Sequence, residues 1–96
     1  MSDPLDDLFW KEEILQIIFW YLGEGLGSSV SAADLRPFLD AEPDLVKAQL
    51  ARLTHEGYLT DVGERRYTLT DLGRHVGGRL FGDEFDGLTK QAHGEC

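Results

Sequence analysis

The residues of this 96-residue chain whose types and spacing could do chemistry are few. Nearest to a ligand set are His93 and Cys96, three apart, which can both reach one soft or borderline metal such as zinc or iron. A structural zinc takes four protein ligands, so this pair is half a site, to be completed by a second copy or by cysteines beyond Cys96. The plainer reading is an exposed tail with an idle thiol. His55 and His75 have no Cys or carboxylate at ligand spacing and read as surface or boundary histidines. Glu12 and Glu13 are adjacent, point to different angles of a helix and make a solvated edge instead of an acid and base pair. Gly23, Gly25 and Gly27 lack a following Lys-Ser or Lys-Thr and end a helix, so they do not form a phosphate loop. The expectation is a protein that is not an enzyme.

What remains is charge. Eighteen Asp and Glu face nine Lys and Arg, a net charge of −9, and a field of that sign repels phosphate backbones and anionic membranes at long range. Any nucleic-acid function must therefore rest on a local basic patch. Only Lys11, Lys47 and Lys90 are lysines, a bias that also suits solvation in high salt. The single cysteine excludes an intrachain disulfide and points to a reducing, cytoplasmic compartment. The first residues carry acids where a secretory signal would carry lysines, and no apolar run approaches the ~18 residues of a membrane span, so no membrane partner is expected.

The length allows one domain, expected over residues 1–88, with a polar tail over 89–96. Such a chain buries only about 60 to 65% of its unfolded surface, which makes an oligomer plausible. Asp3-Pro4 opens a helix running to about Leu22, with Asp6 and Asp7 in its first turn where the helix dipole favours acids. Leu8, Leu15, Phe19 and Leu22 form one apolar stripe on it. Trp10, Ile14, Ile17 and Tyr21 form a second stripe roughly 160 to 180° away, with Ile18 between them. A helix apolar almost all round is buried on both sides, either by the C-terminal segment or by a second copy. Trp10, Ile14, Ile17 and Tyr21, with Phe81 and Phe85 of the last helix, are the expected homodimer interface, because aromatic residues supply large contact area.

Ser31-Ala32-Ala33-Asp34 matches a capping box and opens a short second helix to about Leu39, with a kink or 3₁₀ ending at Pro37. Pro43 starts a third helix, whose buried stripe is Val46, Leu50 and Leu53 and which Gly57 ends near Glu56. Tyr58 to Thr60 and Arg66 to Leu69 are strand-forming runs around a turn, Asp61 to Arg65, with Gly63 at its tip. Thr70 caps a last helix to about Leu88. Its Gly73, Gly77, Gly78 and Gly82 each cost about 0.8–1 kcal/mol against Ala. Spaced about four apart, they either let a helix or an aromatic ring of the first helix approach closely, or leave the helix frayed.

Helix, helix, helix, hairpin, helix is an order that, with three particular stretches, resembles the winged helix-turn-helix domain of MarR/PadR-like transcriptional regulators. The first stretch, Val30 to Leu35, is similar to the capped opening of the helix-turn-helix. The second, Leu45 to Leu59, is similar to the recognition helix and its exit into the wing. The third, Tyr67-Thr68-Leu69-Thr70-Asp71-Leu72-Gly73-Arg74, is similar to the run that closes the wing. Together they cover about residues 28 to 76. The resemblance implies a mainly α fold with a small β-hairpin wing, extended by a long N-terminal helix and a C-terminal helix. It also implies binding of double-stranded DNA through the third helix and the wing.

The residues agree with that expectation in part. A helix of this length can seat its apolar stripe on the core and present the other face to a major groove. On that face Lys47 and Arg52 would contact phosphates or bases, and Ala48 and Ala51 would permit close approach or touch a thymine methyl. Arg65 and Arg66 of the wing would reach the backbone or minor groove, as the wing arginine of such families commonly does. Against it, Glu42, Asp44, Glu56, Asp61 and Glu64 dilute this face. The alternatives are a winged-helix module that binds another protein, and a metal- or thiol-responsive protein built on the His93 and Cys96 pair.

Overall fold

A computed structural model describes the backbone of residues 4–93 and the side chains of residues 5–82. The chain is mainly helical with one two-stranded antiparallel sheet. Its elements are α1 (Pro4–Gly23), α2 (Ala32–Leu35), a 3₁₀ turn (Arg36–Phe38), α3 (Pro43–His55), β1 (Leu59–Gly63), β2 (Arg66–Leu69) and α4 (Asp71–His93).

Local chemistry sets most of the boundaries. Ser31 Oγ accepts from the Asp34 amide and Asp34 Oδ2 accepts from the Ser31 amide, so the expected capping box closes at the head of α2. Pro37 cannot continue the α-helical ladder, and the second helix ends as a 3₁₀ turn. Pro43 occupies the first turn of α3. Gly57, with φ +92°, takes the left-handed conformation just past its end. Thr70 Oγ1 accepts from the Gly73 amide at 3.0 Å and caps α4.

Leu59 pairs with Leu69, Thr60 with Thr68 and Asp61 with Tyr67, and an irregularity at Val62 brings Gly63 opposite Arg66. The turn is tighter than the sequence suggests. Its central residues are Glu64 and Arg65, both at positive φ (56° and 59°), and Gly63 ends β1 instead of forming the tip. A two-residue turn with positive φ at both positions matches the twist of the strands, which is why the chain accepts this conformation without glycine at either position. Val30 and Tyr67 exchange both backbone hydrogen bonds, at 2.8 and 2.7 Å, and add a third segment beside β2.

The core is a single cluster. Ile14, Leu15 and Ile18 of α1 meet Leu35, Leu39, Val46, Leu50, Leu53, Leu59 and Leu69, all buried. Both stripes of α1 are thus used largely within one chain, which corrects the placing of Ile14 in an interface between copies. Ile14 is fully buried in the core, while Trp10, Ile17 and Tyr21 are half-buried against it. Phe81 packs on Phe19 with ring centroids 5.7 Å apart, and the side chain of Phe85 lies outside the described residues. The apolar residues that α1 leaves exposed are Leu5, Leu8 and Phe9, near its start.

Glycines make the α1 and α4 contact close. A Cβ on Gly77 would stand 2.8 Å from the Leu15 carbonyl oxygen, and one on Gly78 would stand 3.1 Å from the Phe19 ring. Gly73 meets the Tyr58 carbonyl instead, and Gly82 has no described neighbour within 4 Å. The helical backbone continues to His93, past the expected end at Leu88 and into the stretch expected as a polar tail. Among the described residues no helix is long and apolar enough to cross a membrane.

Candidate nucleic-acid interface

The buried face of α3 consists of Val46, Gln49, Leu50 and Leu53. The opposite face presents Asp44, Lys47, Ala48, Ala51 and His55 to solvent, as helical spacing requires. Beyond Lys47, a half-open cleft of about 710 Å³ separates α3 from the hairpin. Ala32 and Ala33 line it from α2, Lys47 and Leu50 from α3, and Glu64, Arg65, Arg66 and Tyr67 from the hairpin. Three of the four expected cations therefore converge on one concavity although Lys47 and Arg65 are far apart in sequence.

Arg66 belongs to that wall but is not a free contact, which corrects its expected role. Its Nε donates to Ser29 Oγ at 2.7 Å, and its Nη2 donates to the Ser29 carbonyl oxygen at 2.8 Å and to Asp34 Oδ2 at 3.0 Å. The same carboxylate oxygen completes the capping box. Arg66 thus ties the hairpin to the loop before α2 and fixes the width of the cleft.

Arg52 is corrected more completely. It does not line the cleft, and its guanidinium turns toward the first turns of α1. Nη2 donates to the Asp7 carbonyl oxygen and to Gln49 Oε1, both at 2.9 Å, and Nη1 donates to Glu56 Oε2 at 2.8 Å. Gln49, buried at 5% exposure, donates in turn to Asp7 Oδ1 at 3.1 Å. The clamp holds α1 against α3. One signal for it was present in the sequence: Gln49 is a polar residue at the spacing of the buried stripe, and a buried amide needs partners.

Lys47 and Arg65 differ from these two. Both are exposed, and neither enters an ion pair among the described residues. Ala48 and Ala51 lie beside Lys47 and leave the centre of the α3 face flat. The acids expected to dilute this surface are present, with Asp44 exposed on α3 and Glu64 at the hairpin tip beside Arg65. Tyr67 joins the cleft through its pairing with Val30, a contact that no local pattern announces.

Among the described residues there is no group of three or more His, Cys, Asp or Glu arranged to hold a metal ion. Cys96 lies outside the described residues, as does the side chain of His93. Compared with known proteins, the chain matches no family model, no curated protein and no solved structure.

Proposed function

We propose that this chain is a winged helix-turn-helix domain that binds double-stranded DNA as a homodimer and serves as a transcriptional regulator. In this reading α3 enters the major groove, with Ala48 and Ala51 toward the bases. Lys47 and Arg65 hold a phosphate strand between helix and wing. The observation that carries it is the convergence of Lys47, Arg65 and Arg66 on one cleft between α3 and the hairpin. Arg66 acts there as a positioning residue, through Ser29 and Asp34. The homodimer contact falls on Leu5, Leu8 and Phe9, which one copy leaves exposed.

Fluorescence anisotropy with duplex DNA at several salt concentrations tests the reading. Each phosphate contact contributes about 0.9 to the slope of log K against log salt, so Lys47→Ala with Arg65→Ala should flatten the slope by about 1.8 per protomer. An unchanged slope would remove the assignment of the cleft to DNA.

A second reading has its own observation. Two of the four expected DNA cations, Arg52 and Arg66, are engaged inside the chain, while Leu5, Leu8 and Phe9 are exposed. That balance favours a winged-helix module that binds a protein through α1. Absence of any salt-dependent DNA affinity in the wild-type chain would select it.

A further inference from the structure

A second cleft, of about 270 Å³, opens where α1, the 3₁₀ turn and α4 meet. Glu13, Gln16, Ile17 and Trp20 bound it from α1, at the spacing that places four residues on one helix face. Phe38 of the 3₁₀ turn and Phe81 of α4 complete its walls. The Trp20 and Phe38 rings stand 5.2 Å apart between centroids with an interplanar angle of 70°, so two aromatic walls meet near a right angle. Among the described residues Glu13 is the only ionisable side chain on the cleft, and it enters no ion pair with them.

We propose that this cleft binds a small quaternary ammonium ion, with the cationic head group against the Trp20 and Phe38 rings and its charge balanced by Glu13. The chemistry selects the ligand class by elimination. A hard inorganic cation needs six or more oxygen ligands, and the described side chains of this cleft offer a carboxylate and one amide. A neutral apolar occupant would strip water from Glu13 without compensation. A primary ammonium carries three donors, which aromatic faces satisfy poorly, whereas a trimethylammonium group has none and is attracted by the ring faces. The volume lies below the roughly 300–1,000 Å³ of sites for drug-sized ligands, which fits a choline-sized ion. The proposal is independent of DNA binding, because none of these residues lines the cleft between α3 and the hairpin.

The test is titration of the full-length chain with choline against sodium chloride at matched ionic strength. It is followed by the Trp20 indole NMR signal, assigned with Trp20→Phe. A saturable shift is expected, with the uncharged isostere 3,3-dimethylbutan-1-ol binding about tenfold more weakly. Glu13→Gln should weaken choline several-fold and leave the isostere unchanged. Phe38→Ala, at a position already 44% exposed and therefore tolerant of truncation, should weaken choline as well. Choline that binds no tighter than its isostere, or produces no saturable shift in a wild-type chain shown to be folded by circular dichroism, overturns the proposal.

Discussion

Replacing Arg52 with alanine separates a structural clamp from a DNA contact, because the two roles predict opposite results in two assays. The guanidinium makes its shortest contacts with the Asp7 carbonyl oxygen and Gln49 Oε1 at 2.9 Å and with Glu56 at 2.8 Å. The Glu56 pair is an exposed i, i+4 contact and contributes about 0.3–0.5 kcal/mol. The other two reach partly buried acceptors, and hydrogen bonds to a charged group contribute about 1.5–3 kcal/mol. With the Arg52 side chain 27% exposed, the lower end of that range applies to each. Removing them also strands Gln49 Oε1 in a buried position. The expected loss is about 3–3.5 kcal/mol, a large fraction of the roughly 5–14 kcal/mol available to a chain of this size.

In urea denaturation that loss lowers the midpoint by roughly 2 M with an unchanged slope, taking the lower range of urea slopes for a small domain. Replacing both partners, Gln49→Leu with Arg52→Leu, should cost less than the sum of the single changes, because no buried amide is left unpaired. The DNA salt slope of a folded Arg52→Ala chain should equal that of the wild type. The reasoning is refuted if the unfolding free energy stays within about 0.5 kcal/mol of wild type while the salt slope flattens by about 0.9. Arg52 would then be the groove contact that its place on the helical wheel suggests.

Gly77→Ala brings a Cβ to 2.8 Å from the Leu15 carbonyl oxygen and should cost about 1–3 kcal/mol in chemical denaturation despite the better helix propensity of alanine. Gly82→Ala, with no described neighbour within 4 Å, should instead gain up to about 1 kcal/mol, and equal effects at the two positions would contradict the α1 and α4 packing. Arg65→Gly should relieve the positive φ at the hairpin tip and raise stability by about 0.5–1 kcal/mol while flattening the DNA salt slope by about 0.9, so a loss of stability would count against the turn geometry. Sedimentation equilibrium should show a dimer that Leu8→Glu with Phe9→Glu converts to monomer; a monomeric wild type at high concentration removes the homodimer.

The parts of the fold readable from sequence are those held by chemistry within a few residues. Ser31 and Asp34 cap α2 across three positions, Thr70 caps α4 across three, and Pro37, Pro43 and Gly57 act through their own backbones. The parts that escaped are contacts over long sequence separations. Arg52 reaches Asp7 across 45 residues and Arg66 reaches Asp34 across 32, and no periodicity identifies which carboxylate or carbonyl a guanidinium will meet. The helical wheel shows that α1 is apolar on two sides but not which segment covers each side. Fully burying Ile14 in the chain's own core overturned its place in the interface.

These long-range pairs change the meaning of the net charge of −9. With Arg52 and Arg66 neutralised internally, the cations exposed on α3 and the hairpin tip are Lys47 and Arg65. Two phosphate contacts give a salt slope of about −1.8 for one protomer, so a fourfold rise in salt costs about twelvefold in affinity. A dimer presenting both clefts to one duplex doubles the slope to about −3.6 and the same rise costs about 150-fold. Since sequence-independent affinity rests on phosphate neutralisation, a single protomer with two contacts lacks the electrostatic attraction to offset an acidic chain. The DNA-binding reading thus depends on the homodimer, and Leu8→Glu with Phe9→Glu should weaken DNA binding and halve the salt slope without altering a residue of the cleft.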